Sequence, residues 1–368
     1  MANPIRVAQI VGKMNGGGVE AVVMNYYRHI DKNKVQFDFL IDSDSTLVPR
    51  EEIESLGGRV FEVPPYQHVI EYQRELQRIF KQEGWKIVHS HINALSVFPL
   101  RAAKKAGVPV RIAHSHSTSG KGEYAKNALK AVLKTQSNRY PTHRYACSKF
   151  AGEWLFGDAA EFEVVYNAID LDRFRFNAEA RAQARADLGL VGNQFAIGHV
   201  GRFTAQKNHA FLIDVFTEVA KRRDDAVLLL VGTGEAGASV KALVDERGLT
   251  DRVKFLGQRS DVNRLYQAFD AFVLPSLYEG LGLVGVEAQV SGLSCLLSDA
   301  ITREVDVTGD CKFLPIVDPD VWADEIDSLS PCSYEDRMSI SSGQFADYNI
   351  DLQGNRLTRK YLDLYSRN

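Results

Sequence analysis

The sequence predicts two α/β domains, each a doubly wound parallel sheet, that face one another across a cleft. Short apolar runs alternate with helical patterns along almost the whole chain, which is typical of parallel strands joined by helices. The chain has 368 residues, too many for one ordinary hydrophobic core. A strand, a glycine-containing loop and a helix follow one another twice, from Ile5 and again from Gln194, so each half opens like a separate domain.

The first half opens with a strand at Ile5–Gly12 and a glycine-rich loop. The next segment is predicted to be a helix, because its apolar residues repeat along one helical face: Val19, Val22, Val23, Tyr26, Tyr27 and Ile30. Later apolar runs predict the remaining strands of this half, at Phe37–Ile41, Arg59–Val63, Lys86–His91, Val110–His116, Arg144–Ser148 and Glu163–Tyr166.

The second half opens with a strand at Gln194–Gly201, and further strands are predicted at Val227–Val231, Val253–Gly257, Ala271–Leu274, Cys295–Ser298 and Lys312–Ile316. The polar stretch Asp172–Leu190 contains a helix-like run but no long apolar strand, so the boundary falls at its start. We expect a Rossmann-like N-terminal domain at 1–172 and a second one at 173–346. The amphipathic end of the chain, 347–368, is expected to form a helix that packs back on the N-terminal domain.

Composition and cysteine spacing indicate a globular protein of the cytoplasm. Hydrophobic residues make up 45% of the chain and charged residues 25%, without a low-complexity tract. The N-terminal residues lead directly into a strand without a signal-peptide pattern, and no apolar run approaches the length of a membrane span. Four cysteines lack the spacing of metal or redox sites and are expected as reduced thiols: Cys147, Cys295, Cys311 and Cys332.

Charge is distributed unevenly, although the net charge is only −3. Between Arg101 and Phe150 there are eleven lysines and arginines and one acid, Glu123. A local excess of this size suggests an anionic partner, and a solvated basic face accounts for it equally well.

Two glutamates stand at a predicted strand-to-helix turn. Glu279 follows the apolar run Ala271–Leu274, and glycines mark a tight turn before a helix that contains Glu287. Ligands of open α/β sheets bind at the carboxyl ends of strands. Eight positions separate the two acids, slightly more than two helical turns, so both can reach one ligand. The alternative is a capping acid and a solvated helix acid.

Two loops have the composition of anion sites. In the first half, Gly16–Gly18 joins a strand to a helix, where backbone N–H groups can approach an anion. The loop lacks the G-x-G-x-x-G pattern, so it does not indicate a dinucleotide cofactor, and a plain tight turn is the alternative. In the second half, Arg202 and Lys207 precede a helix and can hold a diphosphate, unless they are merely solvated cations.

These motifs together resemble the retaining glycosyltransferases of family 4 (glycosyl transferases group 1), which have the GT-B fold. The resemblance is carried, in family order, by Gly201–Asn208, Phe255–Gly257, Leu274–Gly280 and Glu287-Ala288. Within the family, the segments around Glu279 and Glu287, with Arg111–His116, are similar to the branch that builds exopolysaccharides and capsular polysaccharides. The resemblance implies a hexosyltransferase with a nucleotide-sugar donor, a UDP-sugar above all, and a glycan or lipid-linked glycan as acceptor.

The resemblance also implies roles for individual residues. Arg202 and Lys207 would bind the donor diphosphate, Glu287 the ribose hydroxyls, and Glu279 with the amides after it the sugar hydroxyls. Gly17 or Gly18 would offer an N–H to the β-phosphate. The donor-binding set is completed by Gly257, Gly280, Leu281, Gly282 and Leu283, of which Leu281 stands where the family often has an aromatic residue.

The family also has a histidine that ends a strand of the N-terminal domain and contacts the transferred sugar. His116 fits this role best and joins Glu279, Arg202 and Lys207 in the predicted catalytic set. His114 is the rival, because side chains alternate along a strand and both can share a face. His89 and His91 end an earlier strand and are expected to pack against or support the site.

The resemblance implies a reaction without a metal ion or other cofactor. Stabilising the departing diphosphate supplies much of the catalysis, and two cations can do this. Retention without a clear enzyme nucleophile suggests attack by the acceptor on the face that the diphosphate leaves. Two Asp-x-Asp segments follow predicted strands, and neither is expected at a metal: Asp42–Asp44 is expected on the surface, and Asp318–Asp320 is expected to start a helix.

Membrane contact is the use that we predict for the basic stretch. Its lysines recur at about helical spacing with apolar residues between them, so the helix can lie on an anionic membrane at the inner face of the plasma membrane: Lys121, Lys126, Lys130 and Lys134. No aromatic–basic recognition motif accompanies the charge, so nucleic acid is not predicted. The other functions considered are a sugar-nucleotide 2-epimerase, a non-catalytic sugar-nucleotide-binding protein and a nicotinamide-dependent oxidoreductase.

Overall fold

The computed structural model describes residues 3–116, 132–192, 194–331 and 333–368. They form two compact units. Unit 1 holds the described residues up to Asp170 together with Asp347–Asn368, and unit 2 holds Leu171–Ala346. Each unit contains one wholly parallel sheet with helices, which confirms the predicted fold class.

Unit 1 has a seven-stranded sheet in the order β3-β2-β1-β4-β5-β6-β7. Its strands are β1 Ile5–Gly12, β2 Val35–Asp42, β3 Arg59–Val63, β4 Ile87–Ser90, β5 Val110–Ser115, β6 His143–Ala146 and β7 Glu163–Val164. Its helices include α1 Gly18–His29, α2 Arg50–Ser55, α3 Val69–Glu83, α4 Val97–Lys105 and α5 Lys149–Phe156.

The last helix of the chain, which we label α14 (Ile350–Ser366), belongs to unit 1. It contacts α1 and the strands β1, β2 and β4. Tyr361 is fully buried there, with its ring edge-on to Phe37 at 5.9 Å between ring centres. The amphipathic pattern that predicts this helix from sequence therefore corresponds to a face that covers the sheet of unit 1.

Unit 2 has a six-stranded sheet in the order β10-β9-β8-β11-β12-β13. Its strands are β8 Phe195–Val200, β9 Ala226–Val231, β10 Val253–Gly257, β11 Ala271–Leu274, β12 Ser294–Ser298 and β13 Lys312–Leu314. Its helices include α6 Leu171–Phe174, α7 Ala178–Asp187, α8 His209–Arg222, α9 Gly237–Glu246, α10 Val262–Ala268, α11 Leu283–Val290, α12 Pro319–Asp327 and α13 Tyr334–Met338.

The polar stretch between the predicted domains forms α6 and α7 and is fixed to unit 2 by Asp270. Arg181 and Arg185 on α7 reach the Asp270 carboxylate at 2.6 and 3.1 Å. The backbone N–H of Ala196 donates to the same carboxylate at 2.8 Å. Asp270 is buried, and its carboxylate receives the two arginines and the backbone N–H. Ion pairs, rather than an apolar stripe, therefore hold α7 against unit 2.

Most of the predicted basic helix lies outside the described residues, which bears on the predicted membrane contact. Lys121, Lys126 and Lys130 are among the residues that the structure does not describe. Lys134 is described, and its Nζ lies 5.3 Å from the centre of the Trp154 ring. No helix in the described ranges is both long enough and apolar enough to cross a bilayer.

Candidate active site

The strand order of each sheet reverses at one place, and predicted site residues follow the strands that border it. The reversal lies between β1 and β4 in unit 1 and between β8 and β11 in unit 2. Gly16–Gly18 follows β1 and His91 follows β4, whereas Arg202 and Lys207 follow β8 and Glu279 follows β11. Ligands of open parallel sheets bind outside the strands' carboxyl ends at such a point. Each unit therefore carries a candidate binding site.

Lys207 and Glu279 form an ion pair between the two loops of unit 2. Nζ of Lys207 lies 2.7 Å from Oε1 of Glu279, and the side chains are 14% and 10% exposed. Ions this far from solvent are only weakly screened by salt. Asn208 follows with a φ of 55°, a left-handed conformation that asparagine tolerates better than most residues. This explains an asparagine directly after the lysine.

Gln206 also holds the two loops together, and sequence reasoning did not single it out. Its amide nitrogen donates to Oε2 of Glu279 at 3.1 Å and to the carbonyl of Tyr278 at 2.9 Å. Its own carbonyl accepts from the N–H of Leu277 at 2.8 Å. The sequence places Gln206 inside the Arg202–Lys207 loop, which marks it as a candidate site residue. No sequence pattern shows that its side chain contacts Glu279.

Arg202 differs from Lys207 in its surroundings. Its side chain is exposed and makes no hydrogen bond or ion pair within the described ranges. The loop thus carries one cation that is already paired with a carboxylate and another that is open to an anion from solution. A guanidinium in this state can make two parallel hydrogen bonds to a phosphate.

Glu287 lies on α11, as the sequence predicts, and is half-buried. Burial raises the pKa of its carboxyl to about 7, against the lowering effects of the Tyr266 hydroxyl, Lys207 and Arg173. The Tyr266 hydroxyl lies 2.9 Å from Oε2 of Glu287 and 3.0 Å from the carbonyl of Val284. Tyr266 is a second residue that sequence reasoning missed, since it lies on the preceding helix, α10.

The turn between Glu279 and α11 depends on Gly282. Its φ of 84° is in the left-handed region, where a side chain is strained, and it caps the helix that begins at Leu283. Gly280 and Leu281 are buried in the same turn. At the end of β10, Gly257 has a φ of 68°, and its carbonyl accepts from the N–H of Gly232 at 2.8 Å.

The glycine loop of unit 1 already contains a carboxylate. Glu20 reaches back from the first turn of α1 and accepts from the backbone N–H of Asn15 at 3.0 Å and of Gly16 at 2.7 Å. Gly17 caps α1 and Gly18 begins it, and N–H groups of a first helical turn have no partner within the helix. Two of the loop's amides are thus occupied by Glu20, while the glycines predicted to bind phosphate stand at the helix start.

Four histidines form a compact, buried array on unit 1. His89 and His91 come from β4 and its end, and His114 and His116 come from the neighbouring β5 and its end. Ring centres lie 4.1 Å apart within the first pair and 3.9 Å within the second. Because side chains alternate along a strand, the two-residue spacing puts all four rings on one face of the sheet. His114 and His116 therefore share a face, and which of them contacts a sugar stays a prediction.

His116 has polar partners on both ring nitrogens. Its Nε2 lies 2.9 Å from Nδ1 of His91, and its Nδ1 lies 3.2 Å from Oδ1 of Asn167. Burial lowers the pKa of His116 to about 4, against the raising effect of Asn167, so the ring is neutral at pH 7. A neutral imidazole donates one hydrogen bond and accepts one, and these two partners occupy both nitrogens of His116.

The histidines are also the group that comes nearest to a metal site among the described residues. One nitrogen each of His89, His91 and His114 lies within 4.8 Å of the others. However, Nε2 of His89 and Nδ1 of His114 face one another at 3.0 Å, a hydrogen-bond distance, so we assign the rings to a hydrogen-bond network. The prediction that Asp42 lies on the surface is wrong: it is buried at the end of β2, where burial raises its pKa to about 6.

Comparison with known proteins decides the family. The model for Glycosyltransferase Family 4 matches residues 16–173, and the model for glycosyl transferases group 1 matches residues 180–343. EpsF of Bacillus subtilis (strain 168), to which a glycosyltransferase activity is attributed, is 40% identical over 332 residues, covering 87% of this chain and 86% of EpsF. This chain belongs to the family 4 glycosyltransferases.

Two further relatives have informative names. The capsular polysaccharide biosynthesis glycosyltransferase CapH of Staphylococcus aureus is 24% identical over 368 residues, 95% of this chain and 97% of CapH. An Escherichia coli UDP-Gal:alpha-D-GlcNAc-diphosphoundecaprenol alpha-1,3-galactosyltransferase is 30% identical over 234 residues, 61% of this chain and 60% of that enzyme. Among solved structures, Anabaena Alr3699/HepE in complex with UDP-glucose has a TM-score of 0.79 at 18% identity, covering 98% of this chain and 99% of HepE.

In this family 4 glycosyltransferase with the GT-B fold, charged and polar groups follow the strands at which the order of each sheet reverses. Unit 2 offers two cations, a buried carboxylate at Glu279 and a second carboxylate at Glu287. Unit 1 offers the N-terminus of α1 and neutral imidazoles. These groups can neutralise a leaving diphosphate and hydrogen bond to sugar hydroxyls.

Proposed function

We propose that this glycosyltransferase takes its sugar from a UDP-sugar and adds it, with retention, to a growing lipid-linked glycan during synthesis of a cell-surface polysaccharide. The donor proposal is supported by the UDP-glucose complex of HepE and by the UDP-galactose of the E. coli relative's name. The acceptor proposal is supported by the diphosphoundecaprenol in the same name, and the polysaccharide by the name of CapH.

The observation that carries this proposal is the Lys207–Glu279 pair. One of the three hydrogens of the Lys207 ammonium is directed to Glu279 at 2.7 Å, which leaves the others for phosphate oxygens. Glu279 holds the ammonium in place before a donor arrives, so little reorganisation is needed when charge develops on the departing diphosphate. Arg202, exposed and without a partner in the described part of the chain, completes the pair of cations.

The remaining proposed roles are those that the resemblance to family 4 implies. Glu287 on α11 accepts hydrogen bonds from the ribose hydroxyls. Glu279 and the amides that follow it bind the sugar, with Gly257 beside the donor: Gly280, Leu281, Gly282 and Leu283. In unit 1, Gly17 or Gly18 at the start of α1 donates to the β-phosphate, and His116 contacts the transferred sugar.

We further propose that the reaction proceeds without a metal ion and by attack on the face that the diphosphate leaves. Two cations and a helix start supply the stabilisation that a divalent ion provides elsewhere. Activity should survive dialysis against a chelator. The product should keep the anomeric configuration of the donor, and an inverted anomer in the NMR spectrum contradicts the proposal.

The proposed acceptor places the enzyme at a membrane surface, and the basic stretch is the proposed contact. Full-length protein should pellet with vesicles that contain anionic lipid and not with neutral vesicles. Changing Lys121, Lys126 and Lys130 to Glu should abolish pelleting, because the attraction depends on positive charge. Equal pelleting of the variant and the original protein rules this contact out.

The decisive experiment is a donor screen by nucleotide release, using UDP-, GDP- and ADP-sugars with a lipid-linked diphosphate glycan. UDP release should exceed the others. Replacing Lys207 by Ala should lower turnover at least about tenfold, which corresponds to roughly 1.4 kcal/mol of transition-state stabilisation. Lys221→Ala is the matched control, because that lysine is exposed on α8 and pairs with Glu218. Equal rates in the two variants overturn the proposed site. Turnover with GDP- or ADP-sugars alone overturns the proposed donor.

A further inference from the structure

A groove between α3 and α4 on unit 1 is lined by cations and, among the described residues, by no acid. The two helices pack against one another, and the groove between them has a volume of about 530 Å³. Five of its lining residues are positively charged: Arg74, Arg78 and Lys81 on α3, and Arg101 and Lys105 on α4. Neither helix carries a residue of the proposed donor-binding set, so the groove is a separate electropositive site.

Most of these cations have no counter-charge. Arg78 is the exception, because its guanidinium lies 2.6 Å from the carboxylate of Glu75. The other four are exposed and make no hydrogen bond or ion pair with any residue in the described ranges: Arg74, Lys81, Arg101 and Lys105. On each helix the cations recur at intervals of three or four positions, so they share one face and repel each other. An anion in the groove would relieve that repulsion.

Gln73 separates this groove from an ordinary solvated basic surface. It lines the groove and is only 8% exposed. Its side-chain nitrogen is buried and has no hydrogen-bond partner in the described part of the chain. Buried polar groups are seldom left in this state, and solvation of the surrounding cations does not account for it. An anionic oxygen bound in the groove would supply the missing partner.

We infer that this groove binds a free ligand that carries two or more phosphate groups. Guanidinium groups bind phosphate through two parallel hydrogen bonds, and ammonium groups bind it as compact charges. At 1.5 Å per residue, the cations span about 10 Å along α3 and about 6 Å along α4, which is enough to contact more than one phosphate. No aromatic side chain of the described residues lines the groove, so a nucleotide base has no ring to stack on. The ligand class is therefore an inorganic polyphosphate or a sugar phosphate.

A lipid headgroup is the other source of phosphate. Val69 and Ile70 line the groove where α3 begins, and both are exposed, so an apolar contact with a membrane is available there. We favour a free ligand because Gln73 is buried, and a headgroup fixed in a bilayer surface reaches a buried amide less readily. The groove shares no residue with the three lysines of the proposed membrane contact, and its inference is independent of the proposed donor and acceptor.

The test measures how fast individual lysines of the full-length protein react with acetic anhydride, read by mass spectrometry of peptides. Sodium tripolyphosphate should protect Lys81 and Lys105, and pyrophosphate and then orthophosphate should protect them less at equal concentration. Lys104 is the matched control, because it is exposed beside Lys105 on α4 and does not line the groove. The readout is local, so tripolyphosphate bound elsewhere does not contribute. Equal protection of Lys104 and Lys105 indicates general attraction between charges and overturns the inference.

Two variants test whether Gln73 and the cations act together. Gln73→Met keeps the approximate size of the side chain and removes its polar atoms, so the tripolyphosphate concentration that half-protects Lys105 should rise at least about fivefold. Gln353→Met should leave that concentration unchanged, because Gln353 is buried in the same unit with an unpartnered nitrogen but lies outside the groove. Arg101→Gln changes an exposed residue, should weaken protection by a similar factor, and serves if Gln73→Met does not fold. Unaltered protection in folded Gln73→Met or in Arg101→Gln overturns the inference.

Vesicles distinguish the two sources of phosphate. Vesicles that contain phosphatidylglycerol, without tripolyphosphate, should protect Lys105 no more than Lys104. If these vesicles protect Lys105 selectively and tripolyphosphate does not, the groove is a site for lipid headgroups and the inference of a free ligand is wrong.

Discussion

The ammonium of Lys207 lies 2.7 Å from Oε1 of Glu279, and both side chains are almost withdrawn from solvent. The pair links the loop after β8 to the loop after β11, which are the two strands where the sheet order reverses. Glu279 is therefore the partner of a cation and not one of two carboxylates that share a proton. This arrangement does not resemble the acid and base pair of a glycosidase.

The first prediction separates the stability of this pair from its role in turnover. Lys207→Met and Glu279→Gln should each lower the free energy of unfolding by about 3 kcal/mol. Each substitution removes one charge of the pair and leaves the buried charge of the other residue without its counter-charge. The double variant should lose less than the sum of the two. Urea unfolding measures all three, and additive losses contradict the pairing. Turnover should stay at least about tenfold low in the double variant, since the cation is still absent.

The second prediction concerns Glu287, whose pKa burial raises to about 7 from an ordinary value of 4.5. Between pH 4.5 and about 7 the folded state holds a proton on this carboxyl that the unfolded chain has released. The contribution of the carboxyl to stability is therefore complete below pH 4.5 and is lost as pH rises through 7. The loss amounts to about 3 kcal/mol. Glu287→Gln removes this dependence, since an amide does not titrate.

The measurement compares urea unfolding of Glu287→Gln with that of the original protein between pH 5 and 8. The stability of the variant relative to the original should rise with pH across this range. Tyr266→Phe is a useful control, because it removes the hydroxyl 2.9 Å from the carboxylate and leaves the carboxyl to titrate. A constant difference between Glu287→Gln and the original shows that the carboxyl is ionised throughout.

Local patterns sufficed to predict where Glu279 and Glu287 lie. The apolar run of β11 and the glycines after it place one acid in a turn and the other in α11, and both placements involve neighbouring residues only. The bond from Lys207 to Glu279 spans 72 positions. It depends on β8 and β11 lying side by side, and no pattern in a single sequence specifies which strands become neighbours.

The same limit explains the partners that were missed. The amphipathic pattern of α14 predicts a buried face, but the contact of Tyr361 with His89 spans 272 positions and joins the end of the chain to β4. Glu20 is a different case, because it lies three residues after the capping Gly17, where an acid is known to reach back to a helix start. That signal was local and was overlooked in favour of an anion site.

A third prediction tests how α7 is held on unit 2. Asp270→Asn should lower the free energy of unfolding by about 3–5 kcal/mol, because Arg181 and Arg185 lose their buried counter-charge. The matched control is Asp187→Asn at the end of α7, whose carboxylate pairs with Arg264 in solvent and should contribute about 0–1 kcal/mol. Similar losses in the two variants, measured by urea unfolding, contradict a buried anchor at Asp270.

The last prediction concerns the turn that presents Glu279. Gly282→Ala should cost about 1–2 kcal/mol of stability, because alanine is strained at a φ of 84°. The added methyl would lie 3.5 Å from Cγ of Glu279, an ordinary contact, so backbone strain and not a clash is the cause. The strain should also displace the amides proposed to bind the sugar and raise the donor KM.

Gly18→Ala is the control for this change. A methyl group there meets no atom within 4 Å, and Gly18 is absent from the positive-φ glycines of the described chain. Its stability should stay within about 0.5 kcal/mol of the original, and its proposed N–H donor remains in place. Thermal unfolding and donor KM should therefore separate the two variants. If Gly282→Ala proves as stable and as active as Gly18→Ala, then the turn after Glu279 does not depend on the left-handed conformation of Gly282.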